Sequence, residues 1–379
     1  AVNSYAYGSN SIAEGTNSAS FGAFAQSNQA NAFAFGSQSE ANAVNSTAFG
    51  ASSFANAVNS YAMGSNSTAT AVNSYAYGSN SIAEGTNSTS FGAFAKSNQA
   101  NAFAFGSQSE ANAVNSTAFG ASAYANQVNA YAMGSNADAV ATNAYAYGSN
   151  SLANAVNASA FGANSRATGV NSAAFGSNSY AVDINSKAEG TFARANGQNA
   201  YAYGSGSQAY NTNAIAFGAG SVASGWQAQA FGTGATAFDT SSLAVGPYSS
   251  ATAPYSSAFG AGAVAKAAGA TAIGAGAVAD RAYQMTFGTK ASSYKMPGLS
   301  RNGFVGSRYQ NQGNKRIVTT DNEGTLGTTD YSITKLENSI GAVGALSAAL
   351  GAMPTETLLP NETFRCGVGG AGYAGQYAG

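Results

Sequence analysis

In the repetitive part of the chain, the residues best placed to do chemistry are Asp183, Lys187, Glu189 and Arg194. Alternating acids and bases at this spacing can form an ion pair between chains or line a groove for a charged ligand. They can equally be decay of a repeated pattern at a tolerant position. Acid–base and nucleophilic chemistry have little else to draw on. His is absent, and Cys366 is the one thiol, so imidazole bases, His-ligated zinc and an internal disulfide framework are all excluded. No carboxylate pair recurs at ligand spacing, and no GGxGxD calcium signature occurs. Gly204-Ser205-Gly206 lacks the following helix that a dinucleotide loop needs. No catalytic residue, metal ligand or cofactor is therefore assigned, and the chain does not read as an enzyme. Lys plus Arg number 14 against 15 for Asp plus Glu, with 8% of residues charged, so there is no electrostatic footprint for nucleic acid.

The elements that carry these residues follow from a period. A glycine recurs every 14 residues from Gly8 through Gly22, Gly36, Gly50, Gly64 and Gly78 to Gly288, 21 positions without insertion or deletion. Disordered low-complexity chains tolerate such slips; stacked identical units do not. Residues 1–70 and 71–140 differ at only 9 positions, which marks a duplication of five units. Fourteen residues fit one turn of a β-solenoid, with two short strands and two bends.

The columns of the unit give each strand its faces. Four and two residues before the glycine stand Ser or Ala in 20 of 21 units, Gln284 and Thr286 being the exceptions. Three and five residues after it stand Ser or Ala in all 21 units, as in Ser11 and Ala13. Period-two spacing puts each pair on one face of a strand, so two strands face each other across a thin interior. The glycine supplies a bend of positive φ. The Asn column five residues earlier, Asn3 to Asn213, suits the other bend and a ladder of amides. On the outward face, the residue before the glycine is Tyr or Phe in 16 units. It runs Tyr7, Phe21, Phe35, Phe49, Met63, Tyr77, Phe91, Phe105, Phe119, Met133, Tyr147, Phe161 and Phe175, then, past Glu189, Tyr203, Phe217 and Phe231. Such a stripe, about 100 Å long at ~4.8 Å per coil, must meet copies of itself. The outward column of the second strand (Ile12, Gln26, Glu40, Phe54, Lys96, Asp138, Arg166, Tyr180) shares no chemistry, as a solvent face would, and is the better face for a ligand. Trp226 replaces the Val or Thr usual at its bend, as hot spot or as filler.

After Gly288 the period stops. Pro297-Gly298 and Asp321-Asn322-Glu323-Gly324 are turn signals, with a strand expected over 316–320. Ile333, Leu336, Ile340, Val343 and Leu350 fall on a/d spacing, the core of a short coiled coil whose chain number the pattern leaves open. The tail from 354 onward has β character.

The unit Asn3-Ser4-Tyr5-Ala6-Tyr7-Gly8-Ser9-Asn10-Ser11 resembles the YadA-type head repeat of trimeric autotransporter adhesins. The tail LPNETFRCGVGGAGYAGQYAG is similar to the start of that family's membrane anchor. The resemblance implies an all-β, left-handed parallel β-roll (β-solenoid) head over 1–291, a connector over 292–330, a coiled-coil helix over 331–353 and a truncated β-barrel anchor over 354–379. The sequence begins mid-repeat with no signal peptide and ends before the remaining anchor strands. Cys366 then reads as a small barrel-strand residue. The expected function is a bacterial cell-surface adhesin. As a homotrimer displayed from the outer membrane, it would bind extracellular matrix, cells or surfaces through many weak contacts. The alternative is a structural fibre, such as a phage tail fibre or spacer; an ice-binding solenoid would need a flat Thr array that the scattered threonines do not make.

Overall fold

The computed structural model describes residues 2–294, 316–320, 326–351, 371–373 and 376–378. Cys366, both C-terminal turn signals and most of the connector and proposed anchor segments lie outside these residues. The chain divides into two compact units, Ala1–Thr289 and Lys290–Gly379.

The first unit is a parallel β-solenoid. Each coil contributes a three-residue strand ending just before the glycine, as in Tyr5–Tyr7, and a two-residue strand such as Ile12–Ala13. The three-residue strands form a 21-stranded sheet reaching Met285–Phe287, and the two-residue strands form the facing sheet. Every pairing is in parallel register 14 residues on, for example Tyr5↔Ala19, Tyr7↔Phe21 and Ile12↔Gln26. The bends are bonded too: Asn17 N–H donates to Val2 O at 2.9 Å and Phe24 N–H to Ser9 O at 2.9 Å.

The glycine column is invariant for a steric reason. Gly22 has φ +139°, and a Cβ there would overlap the carbonyl of Gly36 in the next coil. Two further columns hold left-handed backbone. One is the Asn column, with Asn17 at φ 55°. The other lies two residues after the glycine and was not anticipated; Asn10, Phe24, Gln38 and Ser52 all occupy it at φ 55–61°.

Between the sheets the four small columns close the interior. In the second coil Ser18, Ser20, Ala25 and Ser27 are all buried. Most buried serine hydroxyls find partners nearby: Ser18 Oγ donates to Gly15 O at 2.7 Å, and Ser39 Oγ to Gly36 O at 2.9 Å, whereas those of Ser88 and Ser186 have none. The end coil departs from this pattern. Ala6 is exposed, and Ser4, Ser11 and Ala13 are half-buried.

In the second unit Arg316–Thr320 pairs antiparallel with Leu326–Ser332, followed by the helix Ile333–Gly351. Ala371–Tyr373 and Gln376–Ala378 form an antiparallel hairpin. Along the helix Gly341, Ala345 and Ala349 are buried, whereas Ile340, Val343, Leu346 and Leu350 are exposed. The side chains of Ile333 and Leu336 are outside the described residues. No described helix is long and apolar enough to cross a membrane.

Candidate functional surfaces

The solenoid presents two broad faces of opposite character. On the outer face of the three-residue sheet the rings stand one above another at strand spacing. Phe21 and Phe35 stack with centroids 5.0 Å apart, Phe161 and Phe175 at 5.1 Å, and Tyr203 and Phe217 at 4.8 Å. Tyr7–Phe21, Phe35–Phe49, Tyr77–Phe91, Phe91–Phe105, Phe105–Phe119, Tyr147–Phe161 and Phe217–Phe231 continue the column at 5.8–6.4 Å. None of these rings enters its own coil; Phe49 remains 54% exposed and Phe119 53%.

Where Met63 and Met133 interrupt the column, the aromatic surface sidesteps by two residues. Tyr61 stacks on Tyr75, and Tyr131 on Tyr145, each pair at 5.2 Å. Tyr75 then lies 6.5 Å from Tyr77 and rejoins the main column. Burial among these rings, with Tyr75 and Tyr61 as neighbours, raises the Tyr77 phenol above its usual pKa. Along the chain this second outward column is mixed, with Thr47, Ser159 and Lys187 among its residues, so its tyrosines form a surface only where coils carrying them adjoin.

Glu189 breaks the stripe. Its carboxylate pairs with Lys187, two residues earlier on the same strand face. Phe175, Lys187, Glu189, Gly190, Tyr203 and Gly204 rim a shallow depression there. Of the four charged residues singled out in the sequence, Lys187 and Glu189 come together and Asp183 and Arg194 do not join them. Asp183 sits in a bend, its Oδ1 accepting the Ile184 N–H at 2.7 Å, and Arg194 belongs to the opposite sheet. Four charges close in sequence are separated because one coil winds them onto three different sides.

The outer face of the two-residue sheet is more polar. Lys96 Nζ lies 3.3 Å from Glu110 Oε1 in the next coil. Phe94, Lys96, Gln108, Glu110, Ser122 and Tyr124 line a shallow groove. Farther along, the guanidiniums of Arg166 and Arg194 lie 5.9 and 5.3 Å from the ring centre of Tyr180, one from each neighbouring coil. Asp138 on this face has its pKa raised by burial. Trp226 is half exposed at its bend, its carbonyl accepting the Ser241 N–H at 2.8 Å. No group of three acidic or thiol side chains that could hold a metal occurs among the described residues.

The bend opposite the glycine carries a single continuous feature. The side-chain amide of Asn3 donates to Asn17 Oδ1 at 3.2 Å, Asn17 to Asn31, Asn31 to Asn45, and so on through Asn185 to Asn199 and Asn199 to Asn213. The ladder stops where Gln227 replaces Asn.

The YadA head domain repeat matches residues 1–25, 27–53, 55–82, 83–109, 111–137, 153–179, 167–193, 195–221, 218–238, 240–263 and 251–277. Among solved structures, the collagen-binding domain of the Yersinia adhesin YadA is 13% identical. The match covers 90% of this chain and 98% of that one, with a TM-score of 0.15. No curated protein matches the chain.

Proposed function

From a chain that belongs to the YadA head-repeat family, we propose a bacterial cell-surface adhesin that works as a homotrimer. The observation that carries this reading is the aromatic column outside a filled interior. Ala and Ser occupy the whole space between the sheets, so Phe21, Phe35, Phe49 and their equivalents have no place of their own to be buried. Burying one such ring contributes about 2 kcal/mol, and a seam shared by sister chains buries them in series. Three chains is the number that the family resemblance implies.

The helix offers a second seam in the same assembly. Ile340, Val343 and Leu350 are exposed at heptad-like spacing, with Leu346 beside them, while the small edge is already covered. Display from the outer membrane through the C-terminal segment is part of the same proposal, supported by the similarity of the tail to that family's anchor.

A trimeric rod presents each surface feature three times, so contacts weak individually combine through effective concentration. Adhesion is tested by screening immobilised matrix proteins and glycans against the wild-type chain and against F49D/F119D. The adhesin reading expects wild-type binding and at least about a tenfold loss in the dissociated variant. A rod that captures nothing in the screen is a structural spacer, and the adhesion reading fails.

A further inference from the structure

On the two-residue sheet, we infer that Arg166, Tyr180, Phe192 and Arg194 form a binding site for an anionic linear polysaccharide, one bearing sulfate or carboxylate groups on alternating sugars. The inference deepens the adhesion proposal by naming a ligand class, and it rests on that proposal for its biological setting.

Three observations carry it. The first is charge left unneutralised. Lys96 and Lys187, like the two arginines, stand on outward strand faces, but each is ion-paired to a carboxylate; neither Arg166 nor Arg194 has such a partner among the described residues. Their column reads Asp138, Leu152, Arg166, Tyr180, Arg194, Gln208, so no acid of that column lies within one coil of either, and Glu189 of the same coil as Arg194 faces outward from the other sheet, paired to Lys187. The nearby Asp183 carboxylate is turned onto the Ile184 N–H.

The second observation is preorganisation. Both arginines are exposed, yet each is held against the Tyr180 ring from its own side. A guanidinium held over a ring face still has N–H donors to offer an anion, and Arg grips sulfate, phosphate or carboxylate with two such bonds.

The third is an aromatic residue in the wrong backbone. Phe192, two residues before Arg194, is 57% exposed and has φ 60°, where the two preceding coils carry Asn164 and Asn178. A bulky side chain in left-handed conformation is strained, and an exposed ring recovers little of that cost within the fold. An exposed ring two residues from an arginine offers an apolar face to a sugar. The same Phe-Ala-cation sequence recurs at Phe94-Ala95-Lys96, where Glu110 already occupies the cation. The chain therefore contains its own control.

Spacing chooses the polymer. The arginines are two strand steps apart, about 9.6 Å. Same-face side chains of an extended acidic peptide repeat at about 6.8 Å and fall out of step. Alternate sugars of a linear polysaccharide advance by close to the two-coil step. Nucleic acid and anionic membrane both call for a longer run of cations than these two.

The test measures binding of the full chain to immobilised heparin and to hyaluronan, with polyglutamate and single-stranded DNA alongside. Wild type is expected to bind at least one of the two polysaccharides, more weakly as salt rises, and to prefer it to polyglutamate and DNA. R166Q/R194Q should lose about tenfold or more in affinity. Y180L, which keeps both charges, should lose less, and K96Q should bind as wild type. Sedimentation of each variant separates loss of the site from loss of assembly. Unchanged binding by R166Q/R194Q, equal loss in K96Q, or preference for DNA or polyglutamate overturns the site. Wild type that binds neither polysaccharide but still captures a matrix protein also overturns it, and leaves adhesion standing.

Discussion

The hydroxyl oxygens of Ser20 and Ser27 stand 2.6 Å apart across the inside of one coil, and Ser20 also donates to Ile12 O at 2.6 Å. A hydroxyl touching a hydroxyl fixes how thin the interior is. Phe21, the next residue in the same strand, must point the other way. The exterior ring column is thus a consequence of the interior distance, and the predictions below probe the geometry that enforces it.

Glycine at the bend is a matter of space as well as of φ. Gly36→Ala would set a Cβ against the carbonyl of Gly50, backbone that cannot step aside. A loss of about 2 kcal/mol or more is expected in chemical denaturation. Gly220→Ala meets no neighbouring atom at φ +63°, so it carries only the backbone strain and should cost less. Equal losses for the two would contradict the steric account.

The asparagine ladder separates into a backbone part and a side-chain part. Asn101 accepts from Asn87 at 3.4 Å and donates to Asn115 at 3.0 Å, with φ 57°. Asn101→Gly keeps the left-handed bend and loses the amide, a cost of about 1 kcal/mol; Asn101→Ala loses both and should cost about 1 kcal/mol more. If the two substitutions prove equal, the column serves only one of these purposes.

Asp138 replaces the Thr68 of the first duplicate, and burial raises its pKa in the folded state. The folded chain therefore holds this proton more tightly than the unfolded chain does. The penalty on the charged form is absent below the unfolded pKa and grows as pH rises through the folded value. Asp138→Thr should stabilise the chain at pH 7 and change nothing near pH 3, as read from denaturation midpoints at the two pH values.

Much of the solenoid was legible because its constraints are strict. Only Gly fits at Gly22, and Ala or Ser fills the space between the sheets, so those columns repeat with Gln284 and Thr286 as their exceptions and reveal the 14-residue turn. The second left-handed bend was not legible: Asn10, Phe24, Gln38 and Ser52 share a backbone conformation and no chemical type. Later coils do carry a clue there, with Gly206, Gly220, Gly234, Gly262 and Gly276 in the same column. Arg166 and Tyr180 read only as part of an assortment, since the contacts that join them and Arg194 link residues 14 apart. Asp183, Lys187, Glu189 and Arg194 show the opposite relation, near in sequence yet spread over three sides of the coil, with Lys187 and Glu189 alone of them on one face. The duplicates offer a further reading. Tyr7, Phe21, Phe35, Phe49 and Met63 recur unchanged at Tyr77, Phe91, Phe105, Phe119 and Met133, while Gln26, Phe54 and Thr68 have become Lys96, Tyr124 and Asp138. Six of the nine changes fall on the outer face of the two-residue sheet or inside the coil, where Ser53, Ser60 and Ser67 correspond to Ala123, Ala130 and Ala137; Ala19 to Thr89 lies on the outer face of the other sheet, and Ala57 to Gln127 and Thr70 to Val140 lie outside the strands.

The ring column is tested most directly by the mass of the chain in solution, measured by sedimentation equilibrium for wild type and for F49D/F119D, with circular dichroism to confirm that both keep their strands. Wild type is expected at three times the chain mass of 37.5 kDa, and the variant, still β-folded, at a smaller multiple. A wild-type chain that sediments alone with its rings in water, or a variant that stays fully assembled, would contradict the shared seam.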